Sequence, residues 1–549
     1  MLARVRSGAV MGIDAVLVEV EVDMSVGLPY FNVVGLPDGA AKESKVRVIS
    51  ALKNSDFDLP QKRVTVNLAP ADLKKEGAAF ELPVALGLLV SARLLEEDAL
   101  EKTLFVGELA LDGWLKPVRG VLPIAAAAKR HGFLEIMVPA ENAAEAALVE
   151  GLNVIAVPHL RDAVDHLSGL RPIAPFTDKA APPLAPGERP DMLDVRGQNE
   201  IKDALELAAA GGHNVLLCGP PGSGKTMLAR RLPSIMPALS LEEALEITRI
   251  YSVMGLLGEG QAMVTERPFR APHHTISDAG LVGGGPLARP GELSMAHRGV
   301  LFLDELPEFR RHVLEVLRQP IEDGRVHLAR ANQNVTYPCQ VMLIAAMNPC
   351  PCGYFNVALR QCKCNQQTVN AYQLRISGPM LDRIDITMHT RPVDFSELKP
   401  ENPNEKPSSW YQNRVEEARA RQRHRFKDTP GLLCNAQIGP RQLRRFCRLT
   451  EGAAAELEKA IKRFKMSARA HDRLMKLALT RADLEGHDVV EEVDMRIAVA
   501  CRSLDRDEWK FMSMPSGPRA PASVKNTVGP AFARMMREKG LETPSEEPS

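Results

Sequence analysis

Residues Asn214–Thr226 read NVLLCGPPGSGKT, and this stretch decides the fold of the central part of the chain. Val215–Cys218 is an apolar run typical of a buried strand, and Met227–Leu232 after it has the pattern of a helix. The residues between them match G-x-x-x-x-G-K-T, in which glycines let backbone N–H groups surround phosphate oxygens at a helix N-terminus. The predicted nucleotide-binding residues are Gly219, Pro220, Pro221, Gly222, Ser223, Gly224, Lys225 and Thr226.

Two further strands complete the predicted site. Gly299–Glu305 reads GVLFLDE, a buried-strand pattern that ends in two acids. We expect Lys225 to reach the β- and γ-phosphates of a nucleotide, while Thr226 and Asp304 hold Mg²⁺ and Glu305 polarises the attacking water. A third apolar run, Val341–Met347, is followed by Asn348, whose amide could orient the same water. The alternative, that the acid pair is an ordinary solvated loop, loses weight beside the phosphate loop.

Composition bounds the class of protein. The chain has 549 residues, of which 45% are hydrophobic and 25% charged, so it is neither wholly disordered nor collagen-like. Lysine and arginine together count 69, as do aspartate and glutamate, which argues against a uniformly basic nucleic-acid-coating protein. Aromatic residues make up 5%, too few for wide base-stacking platforms. The longest apolar run is too short to cross a membrane, and the N-terminus reads as a strand and not a signal peptide, so we expect a cytoplasmic protein.

The sequence predicts an α/β protein with several domains. Proline-rich and polar stretches at residues 171–190 and 396–409 are typical of linkers. The predicted parts are an α/β domain at 1–170, a parallel-sheet P-loop core at 191–395 with a Cys-rich insert at 350–364, a helical domain at 410–510, and a disordered tail at 511–549.

Four of the nine cysteines, Cys350, Cys352, Cys362 and Cys364, form a C-x-C…C-x-C pattern. Four thiolates suit a tetrahedral Zn²⁺ of the structural kind, because they leave no open position for catalysis. The spacing differs from the usual C-x-x-C knuckle, so free reduced cysteines remain the alternative.

The helical domain is locally basic. Residues 411–500 hold 19 lysines and arginines against 13 aspartates and glutamates. Its arginine clusters are Arg414, Arg419, Arg421, Arg423 and Arg425, then Arg441, Arg444 and Arg445. Such a field suits the phosphate backbone of DNA, although solvated faces or intersubunit ion pairs explain it equally well.

The central segments resemble AAA+ ATPases of the magnesium-chelatase-like group. In that group a sensor-1 Asn follows the strand after the acid pair, matching Asn348. The resemblance of Ser377–Asp385, SGPMLDRID, assigns the arginine finger to Arg383, which would act on a neighbouring subunit and implies a ring, expected to be a hexamer. Ser467–Arg469 resembles the sensor-2 position, which implies a γ-phosphate contact in cis for Arg469. Either arginine could instead form a surface ion pair.

Residues 1–170 resemble a Lon-protease-like domain. The phrases that carry the resemblance are NLAPADLKKEG at 67–77, FELPVA at 80–85, GELALDG at 107–113 and PVRGVLP at 117–123. Ala79 stands where the family has its serine nucleophile, and Gly120–Ile124 lacks the catalytic lysine, so we expect a peptidase fold without peptidase chemistry.

A Lon-like domain fused to a magnesium-chelatase-like ATPase resembles the ComM/YifB type, whose members are implicated as branch-migration helicases that integrate incoming DNA. By this resemblance, FRAPHHTIS at 269–277 and the hairpin pattern at 325–336 lie where the family places pore elements, with Arg270, His273, His274, Arg325 and Arg330 as candidate DNA contacts. The alternatives are a motor subunit for porphyrin metallation, an ATP-regulated protease and a scaffold without motor activity.

Overall fold

The computed structural model has an N-terminal part of sheets and helices, a central part built on a parallel sheet, and a C-terminal helical part. The structure describes residues 2–35, 38–70, 75, 78–177, 190–258, 260–285, 288–330, 333–357, 360–392, 405–464 and 466–502, without the side chains of residues 38, 39, 41, 330 and 333. The predicted tail at 511–549 and most of both predicted linkers lie outside the described residues.

The N-terminal part combines two sheets with helices. Alternating apolar residues fold into strands β1 (Leu2–Met11), β2 (Asp14–Ser25), β3 (Tyr30–Val34) and β4 (Arg63–Ala69), which form a sheet in the order β1-β2-β4-β3. A parallel sheet holds β5 (Thr103–Phe105), β8 (Glu135–Pro139) and β9 (Asn153–Val157), and a short hairpin holds β6 (Glu108–Leu109) and β7 (Leu115–Lys116). The helices are α1 (Asp38–Asn54), α2 (Glu81–Ser91), α3 (Val121–Arg130), α4 (Ala143–Ala146) and α5 (Leu160–Leu167).

Helix α2 explains the longest apolar run of the sequence. Every residue from Glu81 to Ser91 is buried, because the helix packs against β1 and β2 of the first sheet and also against α1. An apolar run of this length is thus a core helix of a domain. Among the described residues, no helix combines the length and the apolar character needed to span a bilayer.

The central part is a five-stranded parallel sheet in the order β11-β14-β17-β10-β18. Its strands are β10 (Val215–Cys218), β11 (Phe269–Arg270), β14 (Val300–Leu303), β17 (Met342–Met347) and β18 (Ile386–His389). Smaller pairs are β12 (Gly283–Gly284) with β13 (Arg289–Pro290), and β15 (Arg325–Arg330) with β16 (Gln333–Pro338). The last pair is the hairpin that the sequence predicts at 325–336.

Helices surround this sheet on both faces. They are α6 (Asn199–Gly211), α7 (Lys225–Arg231), α8 (Leu241–Met254), α9 (Asp278–Val282), α10 (Glu292–Met295), α11 (Arg311–Val316), α12 (Arg318–Asp323), α13 (Gln366–Gln373) and α14 (Gly378–Leu381). Since all residues of β10, β14 and β17 are buried, the parallel sheet forms the core, as continuous apolar runs predict.

The C-terminal part is helical, as its sequence pattern predicts. It comprises α15 (Ser408–Phe426), α16 (Pro440–Phe446), α17 (Glu451–Phe464), α18 (Ala468–Glu485) and α19 (Glu492–Ala500). Helix α15 starts two residues inside the predicted linker, at Ser408. Helices α15 and α18 pack on α6, and their apolar residues share one buried cluster with β10 and β17.

Candidate functional site

The phosphate loop follows β10 at the centre of the sheet. Gly222 and Gly224 have φ angles of 78° and 82°, a left-handed backbone that favours glycine. Gly219 has another requirement, since a Cβ there would lie 2.0 Å from Oγ1 of Thr390. Helix α7 then begins at Lys225, so the loop leads directly into a helix N-terminus. This strand–loop–helix order is the one that the sequence predicts, and it is the arrangement that binds phosphate.

The side chain of Lys225 reaches back to the phosphate loop that precedes it. Its Nζ donates hydrogen bonds to the carbonyl oxygens of Gly219 and Pro220, at 2.8 and 2.9 Å, and to Oδ1 of Asn348 at 3.2 Å. Burial lowers the pKa of Lys225 below its ordinary value, and the opposing effect of nearby negative groups such as Asp304 is smaller. The sheet register explains the contact with Asn348, because Cys218 of β10 pairs with Met347 of β17 and the next residue of each strand leaves at the same edge.

Thr226 and Asp304 form the second contact of the site. The Thr226 hydroxyl donates to Oδ2 of Asp304 at 2.7 Å, and Oδ1 of the same carboxylate accepts from the Glu305 N–H at 2.9 Å. A hydroxyl and a carboxylate side by side are oxygen ligands of the kind that Mg²⁺ prefers. The residues present therefore fit the predicted nucleotide and its magnesium ion.

Glu305 has an unexpected neighbour. Its backbone is left-handed, with a φ of 51°, and its side chain is 54% exposed. The Nδ1 atom of His274 lies 3.6 Å from Oε2 of Glu305. The His274 ring also faces His273, with centroids 4.1 Å apart, and contacts Phe309 edge-on. The sequence suggested His274 as a DNA contact, whereas the structure places it beside the acid pair.

The reason for this contact lies in the sheet order. Strand β11 pairs with β14 in parallel, so the loop that follows β11 emerges beside the end of β14. Nothing in the spacing of the sequence states that β11 and β14 are neighbours. The apolar pair before Arg270 is the sequence signal of a short strand. If that strand is parallel to β14, the loop after it ends at the same edge of the sheet, which would place His274 near the acid pair.

Arg383 and Arg469 lie away from this group. Asp385 and Ile386 donate backbone hydrogen bonds to the carbonyl of Asn214, at 3.0 Å each. The segment that carries Arg383 therefore lies at the start of β10. The phosphate loop leaves the other end of that strand, which at about 3.3 Å per residue is about 13 Å away.

Both arginines have partners at that far end. Arg383 donates to the carbonyls of Arg318 and Pro379, at 2.8 Å each, and pairs with Glu322. Arg469 pairs with Asp382, at 3.2 Å, and its side chain is 75% exposed. The structure thus brings the two predicted γ-phosphate arginines near each other, and it does not bring Arg469 to Lys225.

The four cysteines converge. The Sγ atom of Cys362 lies 3.7 Å from that of Cys350 and 3.5 Å from that of Cys352, and the four sulfur atoms all lie within 4.8 Å of one another. Tetrahedral zinc with Zn–S bonds of 2.3 Å separates its sulfur atoms by about 3.8 Å, so the cluster fits that ion.

Two thiols of the cluster differ in how easily they ionise. Backbone N–H groups of Lys363 and Tyr354 lower the pKa of Cys352 to about 6, while burial and the neighbouring sulfur atoms raise the pKa of Cys362 to about 12. Four sulfur atoms at this spacing cannot all ionise without a cation between them. The loop also packs on the nucleotide site, because a Cβ on Gly353 would lie 2.5 Å from Cδ of Pro221.

The arginines of the helical part fall into two groups. Arg414 pairs with Glu206 and Glu485, and Arg425 pairs with the buried Asp483. Arg419 donates to the carbonyls of Ala209 and Leu433, so these three join helices within the chain. The exposed members of the two predicted clusters are Arg421, Arg423, Arg441, Arg444 and Arg445.

The candidate pore residues also include both paired and exposed side chains. Arg270 makes a bidentate pair with Glu292, at 2.6 and 2.8 Å. Arg325 is exposed at the base of the hairpin, whereas the side chain of Arg330 lies outside the described residues. His273 bonds to its neighbour Thr275, at 2.9 Å.

A parallel sheet with a phosphate loop after β10 and an acid pair after β14 is the arrangement of a P-loop nucleotide-binding protein. Family models described as magnesium chelatase, subunit ChlI, match residues 191–398, with the subunit's C-terminal model at 405–502 and a further ChlI model at 20–142. The chain belongs to the ComM/YifB family of magnesium-chelatase-like AAA+ proteins.

Individual relatives support this assignment. A protein named YifB from Salmonella typhimurium is 42% identical over 92% of this chain and 98% of its own length. Competence protein ComM from Haemophilus influenzae is 40% identical over 93% of this chain and 100% of its own length. The magnesium-chelatase 38 kDa subunit from Cereibacter sphaeroides is 25% identical over 28% of this chain and 51% of its own length.

The contact between His274 and Glu305 generates a prediction. Replacing His274 by Ala removes the imidazole that faces the carboxylate, so we expect kcat for ATP hydrolysis to fall about tenfold while the Kd for ATP stays unchanged. His273→Ala is the matched control, because the His273 imidazole bonds to Thr275 and not to the acid pair. A steady-state rate for His274→Ala equal to that of His273→Ala would show that the contact does not position Glu305.

Proposed function

We propose that the chain is a ring-forming ATPase that uses ATP hydrolysis to move DNA strands, most specifically as a branch-migration helicase that helps to integrate incoming DNA. The observation that carries the ATPase part is the pair of side-chain contacts, Thr226 to Asp304 and Lys225 to Asn348. The DNA part is supported by the relationship to competence protein ComM over nearly the whole chain.

Each side chain of the site then has a task. The nucleotide supplies the phosphoryl group and its magnesium ion neutralises charge on the phosphate oxygens. Lys225 exchanges its bonds to loop carbonyls for bonds to phosphate oxygens, and Thr226 and Asp304 hold the metal ion. Glu305 accepts a proton from the attacking water, Asn348 orients that water, and His274 positions the Glu305 carboxylate.

Arg383 and Arg469 act, in this proposal, on the nucleotide of a neighbouring subunit. Their position at the end of the sheet opposite the phosphate loop supports a role in trans for both, whereas the sequence resemblance suggested a cis contact for Arg469. Long guanidinium groups at a subunit edge suit this task, because they stabilise charge on the γ-phosphate only once a ring has assembled. A hexamer is the assembly that we propose.

The five exposed arginines of α15 and α16 are the proposed DNA contacts in the helical part, with Arg325 on the hairpin. Exposed cations without buried partners can neutralise phosphates at little cost, unlike Arg414 and Arg425, whose removal would leave buried carboxylates unpaired. The N-terminal part acts as a Lon-like domain without peptidase chemistry, which the alanine at position 79 supports.

One assay tests the proposed function. We expect the full-length protein to hydrolyse ATP faster when single-stranded or branched DNA is present, and to move a synthetic four-way junction in an ATP-dependent way. Glu305→Gln should bind ATP with normal affinity and lose at least 100-fold in turnover, since the water loses its base. An ATPase that ignores DNA and leaves the junction in place would favour the porphyrin-metallation motor or the scaffold.

A mixing experiment tests the trans role of the arginines. Arg383→Ala and Lys225→Ala are each expected to be inactive alone, but mixed rings contain interfaces where an intact finger meets an intact phosphate loop. We therefore expect the mixture to recover a fraction of wild-type turnover, and Arg469→Ala mixed with Lys225→Ala to recover likewise. Recovery for Arg383 but none for Arg469 would return Arg469 to a cis role.

We further propose that the four cysteines hold one structural zinc ion that supports the phosphate loop through Gly353 and Pro221. Metal analysis should find one zinc per chain, lost in Cys362→Ser with Cys364→Ser. Because the cluster packs on the loop, ATP affinity should weaken about tenfold in that variant. Cys339→Ala, in the core outside the cluster, is the control and should keep its zinc. A metal-free wild-type protein would contradict the proposal.

A further inference from the structure

A cavity of about 280 Å³ lies where helix α3 of the N-terminal part faces helix α8 of the ATPase part. Leu122, Pro123 and Ala126 of α3 form one apolar wall, and Leu245 of α8 contributes to the other. Backbone and side-chain contacts hold the two helices together beside it. The Gly120 N–H donates to the carbonyl of Ser252 at 3.1 Å, and the Ser252 hydroxyl bonds to Glu145.

Charge in the lining is predominantly positive. Lys129, Arg130 and Arg249 line the cavity together with one carboxylate, Asp14. Asp14 and Arg130 lie 3.8 Å apart, and both side chains are more than half exposed, so their pairing is weak. Lys129 donates one hydrogen bond, 2.7 Å to the Gly151 carbonyl, and an ammonium group has two more to give.

Arg249 is the unusual member of this group. Its Nε atom is buried and has no hydrogen-bond partner in the part of the chain that the structure describes. A buried guanidinium N–H left without an acceptor costs about 1–3 kcal/mol. Helix α8 uses its other acidic and polar side chains differently, since Glu243 and Glu246 pair with Arg267 and Arg298 of the ATPase part. Arg249 is the cation that α8 contributes to the cavity lining.

We propose that this cavity binds a small organic phosphate, with the phosphate group on Arg249, Lys129 and Arg130 and the organic part against the apolar walls. Three cations against one carboxylate leave two uncompensated positive charges, which match the charge of a phosphate monoester near neutral pH. The volume admits a small molecule but not a folded partner. The site is separate from the phosphate loop and needs no other element of the proposed function.

The position of the cavity predicts how a bound ligand would affect the contact between α3 and α8. Its cations come from both parts of the chain, so a bound phosphate bridges α3 and α8. Arg249 lies one helical turn from Glu246, which ties α8 to the ATPase core by accepting from His297 at 3.1 Å and from Arg298 at 2.9 Å. Ligand binding is therefore expected to stiffen the joint between the N-terminal part and the ATPase core.

Hydrogen–deuterium exchange of the full-length protein tests the site, with phenyl phosphate as the probe and phenol as the matched compound without phosphate. Saturating Mg-ADP keeps the phosphate loop occupied during the titration. We expect phenyl phosphate to protect peptides that cover α3 and α8, and phenol to leave them unchanged. No protection of either peptide would overturn the proposal, as would protection by a single-stranded oligonucleotide alone, which would assign the surface to nucleic acid.

Variants separate the charges of the site. Arg249→Met should weaken binding about tenfold, because a charge-assisted contact is lost. Asp14→Asn should strengthen binding about threefold, because the competing carboxylate is gone. Lys116→Met removes an exposed cation of the N-terminal part that lies outside the cavity lining, and should bind as the wild type does. Equal affinity of Arg249→Met and wild type sinks the idea, and the Asp14→Asn measurement decides it if Arg249→Met fails to fold.

Discussion

The hydrogen bond between the Thr226 hydroxyl and the Asp304 carboxylate is the contact on which the site depends. It joins the second residue of α7, the helix that follows β10, to the residue after β14, and β17 separates β10 from β14 in the sheet. It can form only because β10, β17 and β14 run in parallel and end at the same edge, so that three separate segments deliver polar side chains to one place. Lys225 and Asn348 meet at this edge for the same reason.

A second constraint is the position of helix α8, which has a different partner on each side. Toward the ATPase core, the hydrogen bond from His297 and the guanidinium of Arg298 lower the pKa of Glu246 to about 2. Toward the N-terminal part, Ser252 bonds to Glu145, whose pKa is raised by burial. The helix thus contacts the ATPase core through an ion pair on one side and the N-terminal part through a hydrogen bond on the other. The cavity beside Arg249 lies on that second side.

Sequence patterns predicted the strands and helices that carry the site well, because burial on both faces of a parallel sheet requires continuous apolar runs. Val215–Cys218 and Val341–Met347 correspond to β10 and β17 almost residue for residue. The cysteine cluster was also readable, since four thiols within a short segment have little freedom to lie apart. Arginine was harder, because the same residue type serves a buried ion pair at Arg425 and an exposed surface at Arg421.

The sequence by itself determined the chemistry of the site: a phosphate loop, an acid pair, a polar residue after the third strand and a cluster of thiols. Each of these is a local pattern, in which spacing along the chain fixes which atoms can meet. Only the tertiary structure decided which distant groups share an edge. It brought His274 to Glu305, separated Arg469 from Lys225 and left Arg249 facing a cavity, because strand order and helix packing follow from burial of the whole core and not from any short segment.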